Sequence, residues 1–162
     1  MSFATADLYD EFGEELQIAT PMFNDYGGNK QFSGPASTIK VFEDNSLVRA
    51  ALEEPGEGKV LVVDGAASLR CALLGDMLAE LGVKNGWVGV IVNSCIRDSV
   101  MIGKMEIGVK ALDTNPRKSV KKGLGERDVT VSFADVTINP DDYIYADEDG
   151  FVVAKNKLKE SL

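Results

Sequence analysis

Residues 59–65 read KVLVVDG and residues 87–98 read WVGVIVNSCIRD. In both stretches the apolar residues follow one another instead of alternating. That is the pattern of a strand covered on both faces, as in a parallel sheet flanked by helices. Between them, residues from about Gly75 to Leu81 have the makeup of a short helix, with Gly82 placed to end it. The segment thus reads as strand, helix, strand, and the helix starts near the carboxyl edge of the first strand. Gly75-Asp76-Met77-Leu78 and Arg97-Asp98 are therefore expected at one sheet edge, the edge where open α/β sheets bind ligands.

Working outward, Thr5 is placed to cap a helix through ADLYDEF, with Leu8 and Phe12 one turn apart and Gly13 at its end. STIKVFED (37–44) alternates like a strand. Asn45 is placed to cap a helix through SLVRAALEE, which Pro55-Gly56 stops. After WVGVIVN, a turn or short helix through DSVMIGKM leads to a third strand, IGVKAL. The last third changes character: DVTVSF, DVTI, DYIYA and GFVVA are short, β-branched and separated by Asn139-Pro140 and Asp149-Gly150. That spacing predicts a β-meander with a hairpin turn at Asp149-Gly150. The expected fold class is α/β, a parallel βαβ centre with a C-terminal β-meander, in a single domain over residues 1–162.

Composition narrows the chemistry. The chain has no histidine, which removes Ser-His-Asp and Cys-His nucleophiles, imidazole bases and His-built zinc sites. Chemistry must rest on carboxylates, Lys, Arg, Tyr, backbone amides or a metal held by oxygen, and all-oxygen sites favour Mg²⁺ or Mn²⁺. A formal charge of −9 disfavours direct binding to nucleic acid or anionic lipid. Arg117, Lys118, Lys121 and Lys122 in NPRKSVKK are the exception and read as a solvated loop. Cys71 and Cys95 lack metal-ligand spacing and read as buried free thiols. No apolar run approaches the ~20 residues of a membrane span, and the acidic N-terminus is unlike a secretory signal. A cytoplasmic location is expected. GLGERD (123–128) reads as a turn, Lys59 and Lys104 as exposed, and Trp87 as core or interface.

Each group at the expected edge has a use. The first amides of a helix lack intrahelical partners and carry its positive dipole end, so those around Gly75 to Leu78 can hold a carboxylate. Gly75 lets a ligand come close. Arg97 offers a planar fork of donors, and Asp98 a hard oxygen for a divalent cation that Asp76 could share. The same residues also fit a surface ion pair and a first-turn helix stabiliser.

The order Asp76, twenty residues, Arg97-Asp98 resembles the D-x20-R-D signature of the RraA-like family, which includes regulators of ribonuclease E activity and metal-dependent 4-hydroxy-4-methyl-2-oxoglutarate aldolases. The likeness extends through TADLYD, YGGNKQFSGPASTIKVFEDN, GKVLVVDG and GLGERDVTVSFADVTINPDDYIYADEDG. The resemblance implies a swivelling β/β/α-type sandwich in a homotrimer with sites near subunit boundaries. It implies that the amides of Gly75, Asp76, Met77 and Leu78 hold the carboxylate of pyruvate. Arg97 would then bind substrate and support the oxygen that becomes negative, with Asp98 as metal ligand and Asp76 moving a proton. The expected reaction releases pyruvate by a class II, metal-dependent aldol cleavage, with oxaloacetate decarboxylation through the same enolate. Longer aldolases of the family add an acid from a neighbouring subunit. Glu126, Asp147, Glu148 and Asp149 are available here, and no motif selects one. The rival reading is a non-enzymatic regulator that binds ribonuclease E. Regulators can lack the acid that stands at position 98.

Overall fold

The structure, a computed structural model, describes residues 2–159. The chain opens with α1 (Thr5–Phe12), a 3-10 turn, and the short strands β1 (Gln17–Ile18) and β2 (Asn24–Asp25), before the long β3 (Phe32–Lys40). There follow α2 (Ser46–Leu52), β4 (Val60–Asp64), β5 (Ala72–Leu74), α3 (Asp76–Lys84), β6 (Gly89–Ile96), α4 (Ser99–Ile102) and β7 (Gly108–Thr114). The remainder is β8 (Glu126–Arg127), β9 (Val131–Phe133), β10 (Val136–Ile138), β11 (Tyr143–Asp147) and β12 (Gly150–Ala154).

Ten strands form one sheet in the order β1-β12-β11-β3-β4-β6-β7-β2, with β5 beside β6 and β8 beside β3. Its centre, β3, β4, β6 and β7, is parallel, and β11, β12, β1 and β2 add antiparallel flanks. The apolar runs of β4 and β6 are buried throughout, as their pattern requires, and so are the polar residues that follow them, where Asn93 Nδ2 donates to Asp64 Oδ1 at 3.0 Å. One face packs Leu61, Val63, Val90 and Val92 against Val48 and Leu52 of α2 and Leu78 and Ala79 of α3. The other packs Val60, Val62 and Ile91 against Val131, Val136 and Ile138 of the separate β9–β10 hairpin. Helices, large sheet and small sheet make the β/β/α layering, and each fully buried Leu, Ile or Val contributes about 1.5–3 kcal/mol of burial.

Close packing explains the glycines beside these runs. A Cβ at Gly89 or Gly108 would lie 2.3 or 2.0 Å from the Phe32 ring, so the ring fills the space that two missing side chains leave. The sheet also curls. Four strand steps from β7 to β11 span about 19 Å on a flat sheet. Yet the buried Lys110 of β7 donates from Nζ to the Asp147 carbonyl of β11 and to Asp25 Oδ1, each at 2.8 Å. Among the described residues, no helix is long and apolar enough to cross a membrane.

Several boundaries differ from the sequence reading. Thr5 is not the cap of α1: Ala4 stands there without a side-chain cap. Instead the Asp147 carboxylate accepts from the Thr5 amide and hydroxyl, both at 2.7 Å, so the helix start is held by a strand 142 residues away. Asn45 occupies the cap position of α2, but the carboxylate of Asp44 does the capping, accepting from Ser46 N–H and Oγ–H. Gly82 lies inside α3, where a Cβ would come within 3.0 Å of Ile107 Cδ1, and the turn falls at Gly86, whose φ is +85°. The C-terminal β region takes the form of two hairpins, and its last turn is Glu148-Asp149, one residue earlier than expected.

Two further differences create the site. The segment read as a loop after β4 contains β5, and β6 runs on to Ile96 instead of stopping at Asn93. Beyond Asn93, β6 leaves β4 and pairs in parallel with β5, Ala72 opposite Cys95 and Leu74 opposite Ile96.

Candidate functional site

Parallel pairing ends two strands side by side, so the residues that follow each of them must meet. Leu74 ends β5 and Ile96 ends β6, and Arg97 N–H donates to the Leu74 carbonyl at 2.9 Å. The next residues, Gly75 and Asp98, are thereby adjacent. Asp98 adopts a left-handed conformation (φ 59°), which a short polar side chain tolerates better than most. It precedes α4 without capping it; its Oδ2 accepts the amide of Asp76 at 3.0 Å, at the start of α3.

Gly75 is required by space. Its φ of −124° is open to any residue, but a Cβ there would lie 2.9 Å from Asp98 Oδ2 and 3.5 Å from Arg97 Nε. The Arg97 guanidinium is steadied from the far side, where Nη1 donates to the Pro116 carbonyl at 3.3 Å.

Gly75, Asp76, Met77, Leu78, Arg97 and Asp98 all line one cleft of about 130 Å³. At ~30 Å³ per liquid water, that is the scale of a small acid. The structure departs from the sequence reading over the amides. Asp98 takes the Asp76 N–H, so Met77 and Leu78 carry the first-turn N–H groups without a partner among the described residues, and Ala79 N–H returns to the Gly75 carbonyl. Those two amides remain for an incoming anion.

A divalent cation in this cleft would meet a sparse donor set. Among the described residues no group of three or more Asp, Glu or Cys side chains forms a cage. With Oδ2 on the Asp76 amide, Asp98 keeps Oδ1 free, and Asp76 lines the same cleft. One or two carboxylates with the rest left to water and substrate is how Mg²⁺ is commonly bound, so these residues fit such an ion.

The far wall of the cleft went unrecognised in the sequence. It is the basic run itself: Lys118, Ser119 and Lys121 line it together with Asn45 at the start of α2 and Arg49 in its last turn, and Ala72 and Leu74 of β5 complete the lining. The run is pinned at many points. Ala72 N–H donates to the Arg117 carbonyl at 2.8 Å and Val120 N–H to the Glu43 carbonyl at 3.1 Å. Buried Ser119 accepts from Asn45 N–H at 3.2 Å. Asp44 Oδ2 accepts from Lys122 N–H and Leu124 N–H at 2.8 and 3.1 Å. Desolvation works to raise the Asp44 pKa, but bonds from the Ser46 hydroxyl and amide and from the Leu124 and Lys122 amides outweigh it and bring the carboxyl down to about 2. A cluster of cations in a chain of charge −9 was the signal available.

Other candidates stand apart. Cys71 and Cys95 are buried and free, with thiol pKa values pushed up chiefly by burial, so neither is a ready nucleophile. Asp147 is committed to Thr5 inside its own chain, whereas Glu126, Glu148 and Asp149 are exposed and away from the cleft. Trp87 is core, its Nε1–H donating to the Glu54 carbonyl at 3.0 Å. Lys104 is exposed and Lys59 half-buried.

A parallel-centred β/β/α sandwich with an Asp, an Arg-Asp pair and a helix start at one edge defines a class: this chain belongs to the RraA-like family, whose Aldolase/RraA model matches residues 5–153. Within it, a protein of Alkalilimnicola ehrlichii, provisionally named a 4-hydroxy-4-methyl-2-oxoglutarate aldolase, is 61% identical over 161 residues, covering 99% of this chain and 100% of its own. A protein of Aromatoleum aromaticum with the same provisional name is 60% identical, covering 98% and 99%. Among solved structures, the RNA-processing inhibitor RraA from Thermus thermophilis superposes with a TM-score of 0.95 at 42% identity, covering 98% of this chain and 96% of its own. A Geobacillus kaustophilus protein described as an S-adenosylmethionine:2-dimethylmenaquinone methyltransferase gives 0.95 at 53%, covering 98% and 100%.

Proposed function

We propose that this chain is a divalent-metal-dependent carbon–carbon lyase, a 4-hydroxy-4-methyl-2-oxoglutarate aldolase that releases pyruvate, with oxaloacetate decarboxylation as a side activity. The observation that carries it is the meeting of two free helix amides, Arg97 and Asp98 around one small cleft. The names of relatives at 61% and 60% identity support the substrate. A methyltransferase role suits the cleft less well, because about 130 Å³ is well below the roughly 300–1,000 Å³ of pockets that enclose drug-sized ligands.

The Met77 and Leu78 amides hold the C1 carboxylate, and the positive end of α3 favours its charge. Arg97 lies beside the 2-oxo oxygen and hydrogen-bonds it as it turns negative, an interaction that strengthens along the reaction. Asp76 takes the proton of the 4-hydroxyl. As that oxygen forms a carbonyl, the C3–C4 electron pair passes into the enolate of the departing pyruvate, and C3 is protonated afterwards. Asp98, with Asp76 beside it, would hold the cation, Mg²⁺ or Mn²⁺, which would supply Lewis-acid stabilisation of the enolate oxygen. The assembly expected from the family is a homotrimer.

The test is pyruvate release by the purified protein with Mg²⁺, with EDTA, and after Asp98→Ala. Turnover is expected in the first condition alone, and EDTA-insensitive release would overturn metal dependence. The second reading, binding and inhibition of ribonuclease E, is favoured by the likeness to the Thermus inhibitor. It replaces the first if ribonuclease E is inhibited while no condition releases pyruvate.

A further inference from the structure

The reaction proposed above uses one wall of the cleft and assigns no role to the basic run on the other wall. The cleft lining holds four basic side chains, Arg49, Arg97, Lys118 and Lys121, against two acidic ones, Asp76 and Asp98. In a chain of net charge −9, a locally cationic cleft is contrary to the average surface and concentrates anions. Arg97 belongs to the reacting end, and Arg49 is 3.6 Å from Glu53. Lys118 and Lys121 have no ion-pair partner among the described residues.

Their backbone is held in place even though the side chains are exposed. Lys118 sits in a β-bridge to Ala72, the first residue of β5. The segment between the lysines is tied down by buried Ser119 and by Val120, and the residues beyond Lys121 by the buried carboxylate of Asp44. Beside them, Asn45 Oδ1 is buried from solvent without a partner, an acceptor that a ligand hydroxyl or a lysine ammonium can satisfy.

We propose that Lys118 and Lys121 form a second anion subsite that takes the distal carboxylate of the substrate, so that the cleft selects 2-oxo acids carrying a second carboxylate over monocarboxylic analogues. This rests on the reading of the α3 end as the site for the 2-oxo acid head. The Met77 and Leu78 amides and Arg97 hold C1 and C2, the lysines hold C5, and the C3–C4 bond lies between. The lysines are specificity residues: they touch the substrate's far end and take no part in proton transfer.

The experiment compares binding of 2-oxoglutarate and 2-oxopentanoate, five-carbon 2-oxo acids that differ in the distal carboxylate and cannot undergo this cleavage. Isothermal titration in Mg²⁺ is run on the wild type, on Lys118→Gln/Lys121→Gln, and on a control with the same charge change outside the cleft, Lys84→Gln/Lys104→Gln. The wild type and the control are expected to prefer the diacid by about tenfold, as two partly solvated charge pairs would give, and the cleft variant to lose that preference while binding 2-oxopentanoate as before. In turnover, the cleft variant should raise KM for 4-hydroxy-4-methyl-2-oxoglutarate about tenfold with kcat nearly unchanged. A cleft variant that keeps the preference, a control that loses it too, or a wild type that shows none overturns the proposal. If the preference is present and lysine-dependent while no pyruvate is ever released, the subsite stands and the aldolase reading falls.

Discussion

Gly75→Ala separates the space that the site needs from the stability of the fold. The added methyl would stand 2.9 Å from Asp98 Oδ2 and 3.5 Å from Arg97 Nε, where ordinary carbon–oxygen contact begins near 3.4 Å. The carboxylate must yield by about half an ångström or rotate away, which stretches or breaks its 3.0 Å bond to the Asp76 amide. Because the clash is with the tip of one exposed side chain, the fold absorbs it. Loss of glycine at the helix cap costs up to about 1 kcal/mol, and reduced freedom of the unfolded chain returns about 0.4–1 kcal/mol at a φ open to alanine. The melting temperature should therefore move by only a few degrees. Catalysis should not be spared, since displacement of positioning groups by up to 1 Å costs as much as about 100-fold. The expected fall in kcat/KM for pyruvate release is about 10- to 100-fold, measured beside thermal unfolding of the same preparation. Wild-type kcat/KM in a folded variant would refute the view that Gly75 keeps Asp98 and Arg97 in place.

Three further outcomes follow from particular contacts. Arg97→Lys should lower kcat about 100-fold with a smaller change in KM, because one ammonium cannot replace a fork steadied at Pro116; equal kcat would remove Arg97 from the reaction. Asp44, held at about 2 against an ordinary 3.8, contributes about 2 kcal/mol. That stability is complete above about pH 4 and lost as pH falls through 2, so Asp44→Asn should flatten the acid limb of melting temperature against pH. An unchanged limb would contradict the assignment. Lys110→Met leaves the Asp147 carbonyl and Asp25 without their shared donor and should cost about 3 kcal/mol in denaturant unfolding, whereas a variant as stable as wild type would show that the curled sheet does not depend on this link.

How much was legible in the sequence differs by level. The unbroken apolar runs at 60–63 and 89–92 read as strands covered on both faces, since alternation would have left one face to water, and both are wholly buried. The absence of histidine limited the chemistry before any coordinate was known. The order Asp76, Arg97, Asp98 identified the family through a pattern that chain order preserves. Asn45 stands at the cap position its sequence suggests, although the neighbouring Asp44 supplies the carboxylate; the start of α1 is displaced from Thr5 to Ala4 and is served by Asp147, because a capping rule applied locally cannot see a partner 142 residues away.

The sequence by itself determined which strands are buried, which residue types are available for chemistry, and that two charged segments share one sheet edge. Only the tertiary structure decided that β6 changes partner from β4 to β5 after Asn93, because register between distant segments is set by packing across the sheet. That exchange puts Asp98 on the Asp76 amide. It was likewise the fold, through Asp44, Ser119 and Ala72, that turned a stretch of solvated cations into the second wall of the cleft. Side-chain charge is written in the chain, but what a charge faces is set by backbone hydrogen bonds between residues far apart along it.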